Sequence, residues 1–579
     1  MLPHWWQIVI LLAGLTVQVW SSLQLPDIMS KIVDEGIVGG NQDFILTQGL
    51  YMIIVALIGG VAMVVSGFFA ARLGAGLARR IRDEFFATVM KYSITELGKF
   101  TTSSLITRTT NDIYQVQQVT TMVLRMGCQA PIMGVGAILK ALDTAPDLTW
   151  IIAMAVAALL AVIIVVFSFG LPKFAKLQKL IDKLNTVARE NLTGLRVVRA
   201  FNNEEHEEKK FKEANAELTR VNLFVTRLMV IIFPIVNLLF NMTALLVIWV
   251  GAGFVESGSV QIGSLMAFMQ YAMQVMMSFM FLAMVFIMVP RAVVSWKRVN
   301  EVLSTQTSIK PTDNPRKPSS KVKGVIEFKN VSFSYPDAER SVLSNISFST
   351  KLGQTTAFIG STGSGKSTLV NLIPRFYDVT DGEIIIDGVD IRQYSSKDLM
   401  KKIGYVPQKG VLFSGTIASN ISFGKKLSDK QIKEAARIAQ ASEFINKQPK
   451  KYQNKISQGG SNVSGGQKQR ISIARAIAGS PEILIFDDSF SALDFRTDQK
   501  LRQALSKVTK NTTVLIVAQR VGTIKDADQI VVLDKGSIAG VGKHKELLAT
   551  CKVYREIAES QYSEDEIKAE LHNEGGSDD

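Results

Sequence analysis

Cysteine is nearly absent from this sequence, and its absence narrows the classes of protein to consider. Cys128 and Cys551 are the only two cysteines among 579 residues, and they lie too far apart in sequence to form a metal-binding spacing. A zinc or iron–sulfur site built on closely spaced cysteines is therefore excluded. A structural disulfide is disfavoured as well in a cytosolic setting, where thiols stay reduced.

Charged residues are also scarce, and long stretches of the first half lack them. They make up 20% of the sequence against 47% hydrophobic residues, and the mean hydropathy of +0.20 is unusual for a soluble enzyme of this length. Each of several apolar stretches reaches the length of about 20 residues that a helix needs to cross a bilayer. They are residues 5–26, 44–71, 113–139, 148–172, 228–255 and 263–290, and Arg125 alone interrupts the third. We therefore predict six transmembrane helices, with long buried helices of a soluble bundle as the alternative.

The charges between these stretches are separated by sign. Lysine and arginine are concentrated in the connections at residues 72–112 and 173–227, whereas the alternate connections contain mostly aspartate and glutamate. By the positive-inside rule, the two basic connections and both chain termini are cytosolic, in a multi-pass protein of the cell membrane. This topology accounts for part of the net charge of +14. No nucleic-acid partner is needed to explain it.

The two basic connections are too long to be turns. Apolar and charged residues alternate in them at helical spacing. We expect the membrane helices to continue into the cytosol as helical hairpins, with their tips near residues 99–104 and 201–205. A hairpin of this length usually contacts another domain, and a solvated helical surface is the alternative.

The composition changes after Arg298. Residues 308–324 contain three prolines, several serines and lysines, and little to bury, which is typical of a linker. Short β-rich runs then alternate with helical segments, a pattern that indicates an α/β domain. The predicted boundaries are a transmembrane domain at 1–303, a linker at 304–324, an α/β domain at 325–561 and an acidic tail at 562–579. We expect the tail to be disordered.

The strongest motif is GSTGSGKS, which follows the predicted strand TTAFI and precedes a helical segment. Its glycines let backbone N–H groups curl around phosphate oxygens, and the start of a helix adds positive potential. In such a loop the lysine reaches the β- and γ-phosphates, and the final serine ligates Mg²⁺. ATP and Mg²⁺ are therefore the expected cofactors. The predicted nucleotide-binding residues are Gly360, Ser361, Thr362, Gly363, Ser364, Gly365, Lys366, Ser367 and the adjoining Thr368.

Further motifs follow the glycine loop and specify a family. They are YVPQ with Gln408, NVSGGQKQR at residues 462–470, ILIFDDSF at residues 483–490 and LIVAQR with Gln519. With these motifs the sequence resembles the ATP-binding cassette (ABC) transporters, in particular half-transporters of the exporter type. The VSGGQ motif separates this family from other P-loop ATPases. The resemblance implies an α-helical membrane domain, with six transmembrane helices and long cytosolic extensions, followed by an α/β P-loop ABC ATPase domain.

The resemblance also implies roles for single residues. Tyr335 corresponds to the aromatic residue that stacks on adenine. Ser367, Asp487 and Gln408 correspond to residues around Mg²⁺, and Gln408 also contacts the attacking water. The signature that binds the γ-phosphate held by the opposite domain corresponds to Ser464, Gly465, Gly466 and Gln467. Two such domains must pair around two ATP molecules, so the resemblance implies a second half-transporter chain as partner.

Two positions depart from the family pattern. Asp488 stands where the family has a catalytic glutamate, and Gln519 stands where it has a switch histidine. An aspartate places its carboxylate one C–C bond, about 1.5 Å, further back, and a misplacement of about 1 Å can reduce a rate on the order of 100-fold. Glutamine can bond a phosphate oxygen but cannot carry a positive charge. We therefore expect this site to hold ATP and hydrolyse it poorly, with Asp488, Gln519 and Gln408 as its catalytic residues.

The signature, in contrast, departs from the usual motif only by Val463 in place of leucine. An impaired nucleotide site joined to a sound signature favours a heterodimer, in which this signature completes the competent site of the partner chain. The alternative is a homodimer with two slow sites.

The last apolar stretch contains methionines three or four residues apart, which share one face of a helix. They are Met266, Met269, Met273, Met276, Met280, Met284 and Met288. Methionine adapts to ligands of varied shape, and this stretch has no charge that would require an ionic substrate. We therefore expect lipophilic drugs or dyes as substrates, with membrane lipid around the helices. Ordinary helix packing is the other explanation for the methionines.

Other functions remain as alternatives. Export of peptides or lipids would use the same architecture. A non-transport ABC ATPase, of the kind that works on DNA repair or ribosomes, is disfavoured by the six predicted spans. An importer is disfavoured because importers commonly keep their ATPase on a separate chain.

Overall fold

The computed structural model describes residues 5–312, 314–316, 318, 323–336 and 338–567. The chain forms two compact units. The first comprises the chain up to Met90 together with Thr102–Thr305, and the second comprises Lys91–Thr101 together with the chain from Gln306 onward. The short segment between the second and third apolar helices is therefore part of the second unit.

The first unit is helical, because a helix satisfies its own backbone N–H and C=O groups and can therefore lie in lipid. Its helices are α1 (Trp5–Lys31), α2 (Gln42–Val89), α4 (Thr102–Thr107), α5 (Ile113–Met122), α6 (Cys128–Thr144), α7 (Thr149–Thr193), α8 (Leu195–Ala200), α9 (Glu204–Glu256) and α10 (Ile262–Ser304); α3 (Ile94–Lys99) belongs to the second unit. Short π-helical stretches at Ile32–Ile37, Arg108–Asp112 and Val123–Gly127 continue some of these helices.

Within the described residues, six helical segments are long and apolar enough to cross a membrane. They are Trp5–Ile37, Gln42–Val89, Thr102–Thr144, Pro146–Thr193, Glu204–Glu256 and Ile262–Ser304. Each contains one of the stretches predicted from the sequence. The prediction of six spans is therefore confirmed.

Partly buried polar groups connect three of these helices near one end of the first unit. The Lys140 ammonium forms an ion pair with the Asp27 carboxylate, and the Tyr271 hydroxyl donates to Asp27 Oδ1 over 2.6 Å. The Asp34 carboxylate accepts from the backbone N–H of Gly263 over 2.7 Å and so caps the start of α10. Charges in an apolar environment are stable only when they are paired and hydrogen-bonded. This network therefore specifies one arrangement of α1, α6 and α10.

Two helical hairpins extend from the apolar segments. Helices α7 and α9 have 45 and 53 residues, far more than the about 20 that cross a bilayer, and the chain between them reverses at residues 201–203. Lys183 pairs with Glu217 and Lys210 pairs with Glu190, each over 3.2 Å, so these ion pairs join the two helices. The other reversal occupies residues 90–101 and includes α3. The predicted long extensions are confirmed, although the first tip begins before residue 99.

The second unit is a mixed α/β domain. Its strands are β1 (Ile326–Phe333), β2 (Leu343–Thr350), β3 (Thr355–Gly360), β4 (Asp381–Ile386), β5 (Val389–Asp390), β6 (Ile403–Val406), β7 (Gly415–Thr416), β8 (Lys455–Ile456), β9 (Ile483–Asp487), β10 (Thr513–Val517), β11 (Gln529–Asp534) and β12 (Ser537–Gly542). The main sheet has the order β12-β11-β3-β10-β9-β6, and all its strands except β12 run parallel. A second sheet, β2-β1-β4-β5, is antiparallel, and β7 pairs with β8.

Helices pack on both faces of the main sheet. They are α11 (Lys366–Leu372), α12 (Ser396–Lys402), α13 (Ile417–Ser422), α14 (Asp429–Ile438), α15 (Ser442–Asn446), α16 (Gly465–Ile477), α17 (Phe495–Val508), α18 (Val521–Ile524), α19 (His544–Thr550) and α20 (Lys552–Glu559). Along β9, Ile483 and Ile485 pack in one apolar cluster, and Leu484 and Phe486 pack in another. Successive side chains of a strand point to opposite faces, so both clusters are filled from one strand. The predicted α/β class is confirmed.

One buried carboxylate holds the segment 91–101 within the second unit. Glu96 is 2% exposed; its Oε1 accepts from the Ser308 N–H over 3.1 Å, and its Oε2 accepts from the Ser93 N–H over 3.0 Å. Ser93 and Glu96 also form a capping box at the start of α3. The same side chain thus caps a helix and binds the chain just after α10.

The end of the described chain differs from the expected disorder. Ser563 and Glu566 cap a helical turn that reaches Ile567, with Glu566 Oε2 accepting from the Ser563 N–H over 2.9 Å. Ile567 is 9% exposed and packs in the same apolar cluster as Tyr554. Tyr562 packs partly buried against the same cluster, so two apolar side chains hold a segment whose other residues are polar or charged. Residues 568–579, the rest of the predicted tail, lie outside the described residues.

Candidate functional site

The candidate site lies at the carboxyl ends of four parallel strands. The order β3-β10-β9-β6 places these strands side by side. Residues 361–365 follow β3, Gln519 follows β10, Asp488 follows β9, and Gln408 follows β6. Because parallel strands end at the same edge, segments far apart in sequence converge there, as ligand sites of open α/β sheets do.

The glycine loop wraps around the Lys366 side chain. Gly365 has φ +95°, and a Cβ at this position would lie 2.7 Å from Leu343 Cδ2, so both conformation and space require glycine. Lys366 is 9% exposed; its Nζ donates to the Gly360 and Ser361 carbonyl oxygens over 2.9 and 2.7 Å. Burial lowers the pKa of Lys366, and the neighbouring aspartates only partly oppose this. The loop therefore concentrates one cation and several backbone N–H groups, which suits an anionic phosphate.

Ser367 and Asp487 form the candidate Mg²⁺ site. The Ser367 hydroxyl donates to Asp487 Oδ1 over 2.7 Å, and Asp487 is 5% exposed. Burial raises the pKa of the Asp487 carboxyl, against hydrogen bonds from Ser367 and Tyr405. A hydroxyl beside a carboxylate fits Mg²⁺, a hard cation that prefers oxygen ligands. Bound there, Mg²⁺ would neutralise charge on the phosphates of ATP.

Asp488 lies beside Asp487 in a different environment. It is 6% exposed and has φ +45°, a left-handed conformation that aspartate tolerates better than most residues. Its Oδ2 accepts from Gln519 Nε2 over 2.8 Å and from Gln408 Nε2 over 3.1 Å. The structure thus brings the three predicted catalytic residues into direct contact. Gln408, which the resemblance also placed near Mg²⁺, bonds Asp488 here.

Tyr335 lies beside the glycine loop. Its hydroxyl is 2.9 Å from Thr368 Oγ1, and its ring packs edge-on against Phe333 and Tyr377, with ring centres 4.9 and 5.3 Å away. This contact places an aromatic ring next to the loop that would hold the phosphates. Adenine stacking on Tyr335 stays a prediction.

The signature residues form a separate part of the site. Ser464 caps α16 through a capping box, in which Gln467 Oε1 accepts from the Ser464 N–H over 3.1 Å. A Cβ at Gly465 would meet nothing within 4 Å, so the helix start at this residue is open to a ligand. Ser464 and Gln467 hydrogen-bond each other. The residues that follow β3, β6, β9 and β10 form the other part of the site. This division is what a site completed by two chains requires.

Sequence reasoning missed Tyr405 and Asn371. The Tyr405 hydroxyl lies 2.8 Å from Asn371 Oδ1 and 3.4 Å from Asp487 Oδ2, and burial together with Asp487 raises its pKa. Tyr405 orients the candidate Mg²⁺ ligand from the side opposite Ser367. The sequence signal that could have identified Tyr405 is its place in the YVPQ motif, two residues after the start of a buried strand.

A glycine loop at a strand–helix junction, a buried lysine and a serine–aspartate pair define a P-loop ATPase, here on the same chain as six membrane-spanning helices. The comparisons with known proteins agree with this class. The family described as "ABC transporter transmembrane region" matches residues 8–279, and the family described as "ABC transporter" matches residues 343–491.

Individual relatives cover nearly the whole chain. An uncharacterized ABC transporter ATP-binding protein of Mycobacterium tuberculosis is 40% identical over 545 residues, which are 93% of each chain. An ATP-dependent lipid A-core flippase of Syntrophus aciditrophicus is 31% identical over 94% of this chain and 90% of its own length. The solved structure of a bacterial Atm1-family ABC exporter with ATP bound has a TM-score of 0.80 and 26% identity, and the match covers 96% of this chain and 98% of that one. The chain belongs to the ABC transporter family and is a half-transporter of the exporter type that uses ATP.

Proposed function

We propose that this chain is the hydrolysis-impaired half of a heterodimeric ABC exporter of the cell membrane, which moves lipophilic compounds out of the cytoplasm. The observation that carries the proposal is the environment of Asp488. One of its carboxylate oxygens accepts hydrogen bonds from both Gln408 and Gln519. This carboxylate is one methylene shorter than the glutamate of the family.

The two amide contacts strengthen the effect of the short side chain. A carboxylate that activates water must reach that water with a free oxygen. At Asp488, two side-chain donors on Oδ2 fix the orientation of the short carboxylate, and the left-handed backbone at φ +45° restricts the residue further. Its other oxygen, Oδ1, therefore lacks the reach that a glutamate would have toward the water. We therefore infer a site that retains ATP, through Tyr335 and the glycine loop, and turns it over slowly.

The signature supports a division of labour between two chains. Ser464 caps a helix whose first residues are open to a ligand, so its N–H groups and hydroxyl can bind a γ-phosphate held by the partner. This chain would then complete a competent site on a partner that supplies the missing glutamate. A homodimer with two slow sites is the alternative.

Nucleotide trapping tests this proposal. The native complex would be loaded with photoreactive, α-phosphate-labelled ATP, allowed one round of turnover, and cross-linked. We expect ATP on this subunit and ADP on its partner. Asp488→Glu combined with Gln519→His is the matched comparison and should convert part of the ATP on this subunit to ADP. Rapid formation of ADP on both wild-type subunits would refute the impaired site.

Lipid export is the second candidate function. The favouring observation is the lipid A-core flippase, which matches 94% of this chain. Comparing the ATPase stimulation by lipophilic dyes with that by anionic glycolipids in nanodiscs separates the two. Stimulation by glycolipid alone would replace drugs with lipids in the proposal.

A further inference from the structure

The switch residue Gln519 is held by a residue near the end of the described chain. The Gln561 carboxamide bonds the backbone on both sides of Arg520. Its Nε2 donates to the Gln519 carbonyl oxygen over 2.8 Å, and its Oε1 accepts from the Val521 N–H over 2.8 Å. A carboxamide presents a donor and an acceptor together, so one side chain satisfies two backbone groups of the loop after β10.

Gln561 lies at the surface, and the segment that carries it is anchored in the apolar core. It follows α20, in which Tyr554 and Ala558 are 0% and 1% exposed, and its N–H donates to the Ala558 carbonyl oxygen over 2.9 Å. After it, Ile567 is buried in the same cluster as Tyr554. With apolar residues buried on both sides, Gln561 can restrain the loop rather than follow its motion.

The helix that follows the switch residue is held by different groups. Arg502 Nη1 donates to the carbonyl oxygens of Gly522 and Thr523 over 3.2 and 3.3 Å, and Arg502 pairs with Asp498 over 3.2 Å. These contacts hold the backbone of α18. Before α18, the Ala518 N–H donates to the Phe358 carbonyl oxygen over 3.1 Å, and Gln561 bonds the chain between this point and the first residue of α18.

We propose that Gln561 is a positioning residue of the nucleotide site. It holds the backbone of Gln519 so that the Gln519 amide points at Asp488, whose Oδ2 lies 2.8 Å away. Without this restraint the loop after β10 moves more freely, and the Gln519 amide spends less time at the site. The proposal concerns orientation, so it does not depend on how fast this site hydrolyses ATP.

The test compares Gln561→Ala with Gln561→Glu in the full chain, purified with its partner subunit and placed in lipid nanodiscs. The first measurement is hydrogen exchange of the Val521 amide without nucleotide. Gln561→Ala removes the acceptor and should speed exchange about fivefold, the change expected for one neutral hydrogen bond. Gln561→Glu keeps an acceptor and should leave the exchange rate near that of the wild type.

The second measurement is the lifetime of labelled ATP on this subunit. Gln561→Ala should shorten it about three- to tenfold, because Gln519 then contributes less of a hydrogen bond to phosphate. Gln561→Glu should also shorten it, since a carboxylate cannot donate to the Gln519 carbonyl oxygen and repels it. Adding Gln561→Ala to Gln519→Ala should have no further effect, because both act through one side chain.

Ser560→Ala is the matched control. The Ser560 hydroxyl donates to the Ile557 carbonyl oxygen of α20 and, among the described residues, to no group of the switch loop, so this variant should change neither measurement. Unchanged Val521 exchange in Gln561→Ala, or additive effects with Gln519→Ala, overturns the proposal. The same holds if Ser560→Ala reproduces the effects.

Two further outcomes are distinguishable. If Gln561→Ala raises hydrogen exchange throughout α20, that variant has unfolded the segment, and the proposal is judged by Gln561→Glu instead. An ATP lifetime equal to that of the wild type in Gln561→Glu then overturns the proposal. If ATP is converted to ADP at once on the wild-type subunit, the impaired site is refuted. Gln561 is then judged by Val521 exchange and by a lower kcat at unchanged KM.

Discussion

Asp487 and Asp488 are neighbours at the end of β9, yet their side chains meet different partners. Asp487 accepts a hydrogen bond on each carboxylate oxygen, from the hydroxyls of Ser367 and Tyr405. Asp488 bonds two amides. The partners of the first residue fit the candidate Mg²⁺ site, and the second residue is restrained by neutral donors.

The raised pKa of Asp487 has a consequence for stability. Burial favours its protonated form, so its contribution to stability is present below the ordinary aspartate pKa and is lost as the pH rises through the raised value. At neutral pH, Asp487→Asn removes a buried charge and keeps an acceptor for Ser367. We expect the free energy of unfolding without nucleotide to rise by about 0.5–2 kcal/mol, while the stabilisation by Mg²⁺ and ATP disappears.

Thermal unfolding of the full chain at pH 7 and near pH 4, with and without Mg²⁺ and ATP, measures this effect. The gain should shrink at the lower pH. The exposed Asp381→Asn serves as control, because its carboxylate is not buried. A gain of equal size at both pH values contradicts the explanation by burial.

The division of labour between the two chains can be tested with single substitutions. Asp488→Asn should lower the ATPase activity of the complex only slightly, because Asp488 is already restrained. Gly465→Asp should abolish hydrolysis and transport, since it puts a negative charge where the proposed function places the partner's γ-phosphate. Loss of one preorganised donor alone costs about 100- to 1,000-fold.

Gly465→Asn is the matched control for size without charge, and it should retain more activity than Gly465→Asp. A Cβ at this position meets nothing within 4 Å, so both variants should fold. Loss of activity in Asp488→Asn together with normal activity in Gly465→Asp would reverse the assignment of the two sites.

At the scale of elements, α3 and the chain after α10 share the Glu96 carboxylate. Burial alone would raise the pKa of Glu96, but hydrogen bonds from Ser93 and Ser308 outweigh it and hold the pKa below the ordinary value. The stabilisation is therefore present above the ordinary glutamate pKa and is lost as the pH falls through the lowered one.

Glu96→Ala should lower the free energy of unfolding of the second unit by about 1–3 kcal/mol, because it removes the acceptor of the Ser93 and Ser308 N–H groups. Hydrogen exchange of the Ser308 amide, which donates to Glu96, should rise in the same variant. Lys99→Ala, on the exposed surface of α3, is the control and should change little. Unaltered Ser308 exchange in Glu96→Ala would show that the carboxylate does not hold this segment.

The methionines of α10 do not share one environment. Met276 is 0% exposed and packs with Ala155, Leu159 and Val236, whereas Met284 is 47% exposed. Packing therefore explains Met276, and the substrate hypothesis rests on the accessible methionines.

We expect Met284→Ala to change the relative export of different dyes with little loss of stability. Met276→Ala should lower the free energy of unfolding by about 2–5 kcal/mol. If Met284→Ala reduces the export of all dyes in proportion, this methionine has no role in substrate contact.

At the scale of the whole molecule, one chain carries one nucleotide loop and one signature, while ABC half-transporters generally work as dimers. The chain expressed alone should therefore show an ATPase rate at least about 100-fold below that of the native complex, the loss expected when the catalytic carboxylate is misplaced. Purification from the native membrane supplies the comparison. Equal rates, with this chain as the sole subunit, would favour the homodimer.

Some of this architecture follows from local sequence. The six spans were predictable because about 20 apolar residues in a row have few stable states other than a membrane helix. The glycine loop was predictable because its chemistry lies within eight consecutive residues, Gly360 to Ser367. The fold class followed from alternating strand and helix patterns, which are also local.

Other features were decided only by the tertiary structure. Asp488 receives its two amide bonds from residues 80 and 31 positions away, and Glu96 binds Ser308 across 212 positions. Nothing in the composition of residues 561–567 indicates that they hold the switch loop and bury Ile567. Which distant groups share a hydrogen bond depends on strand order and on the burial of each side chain, and these are properties of the folded chain rather than of any local pattern.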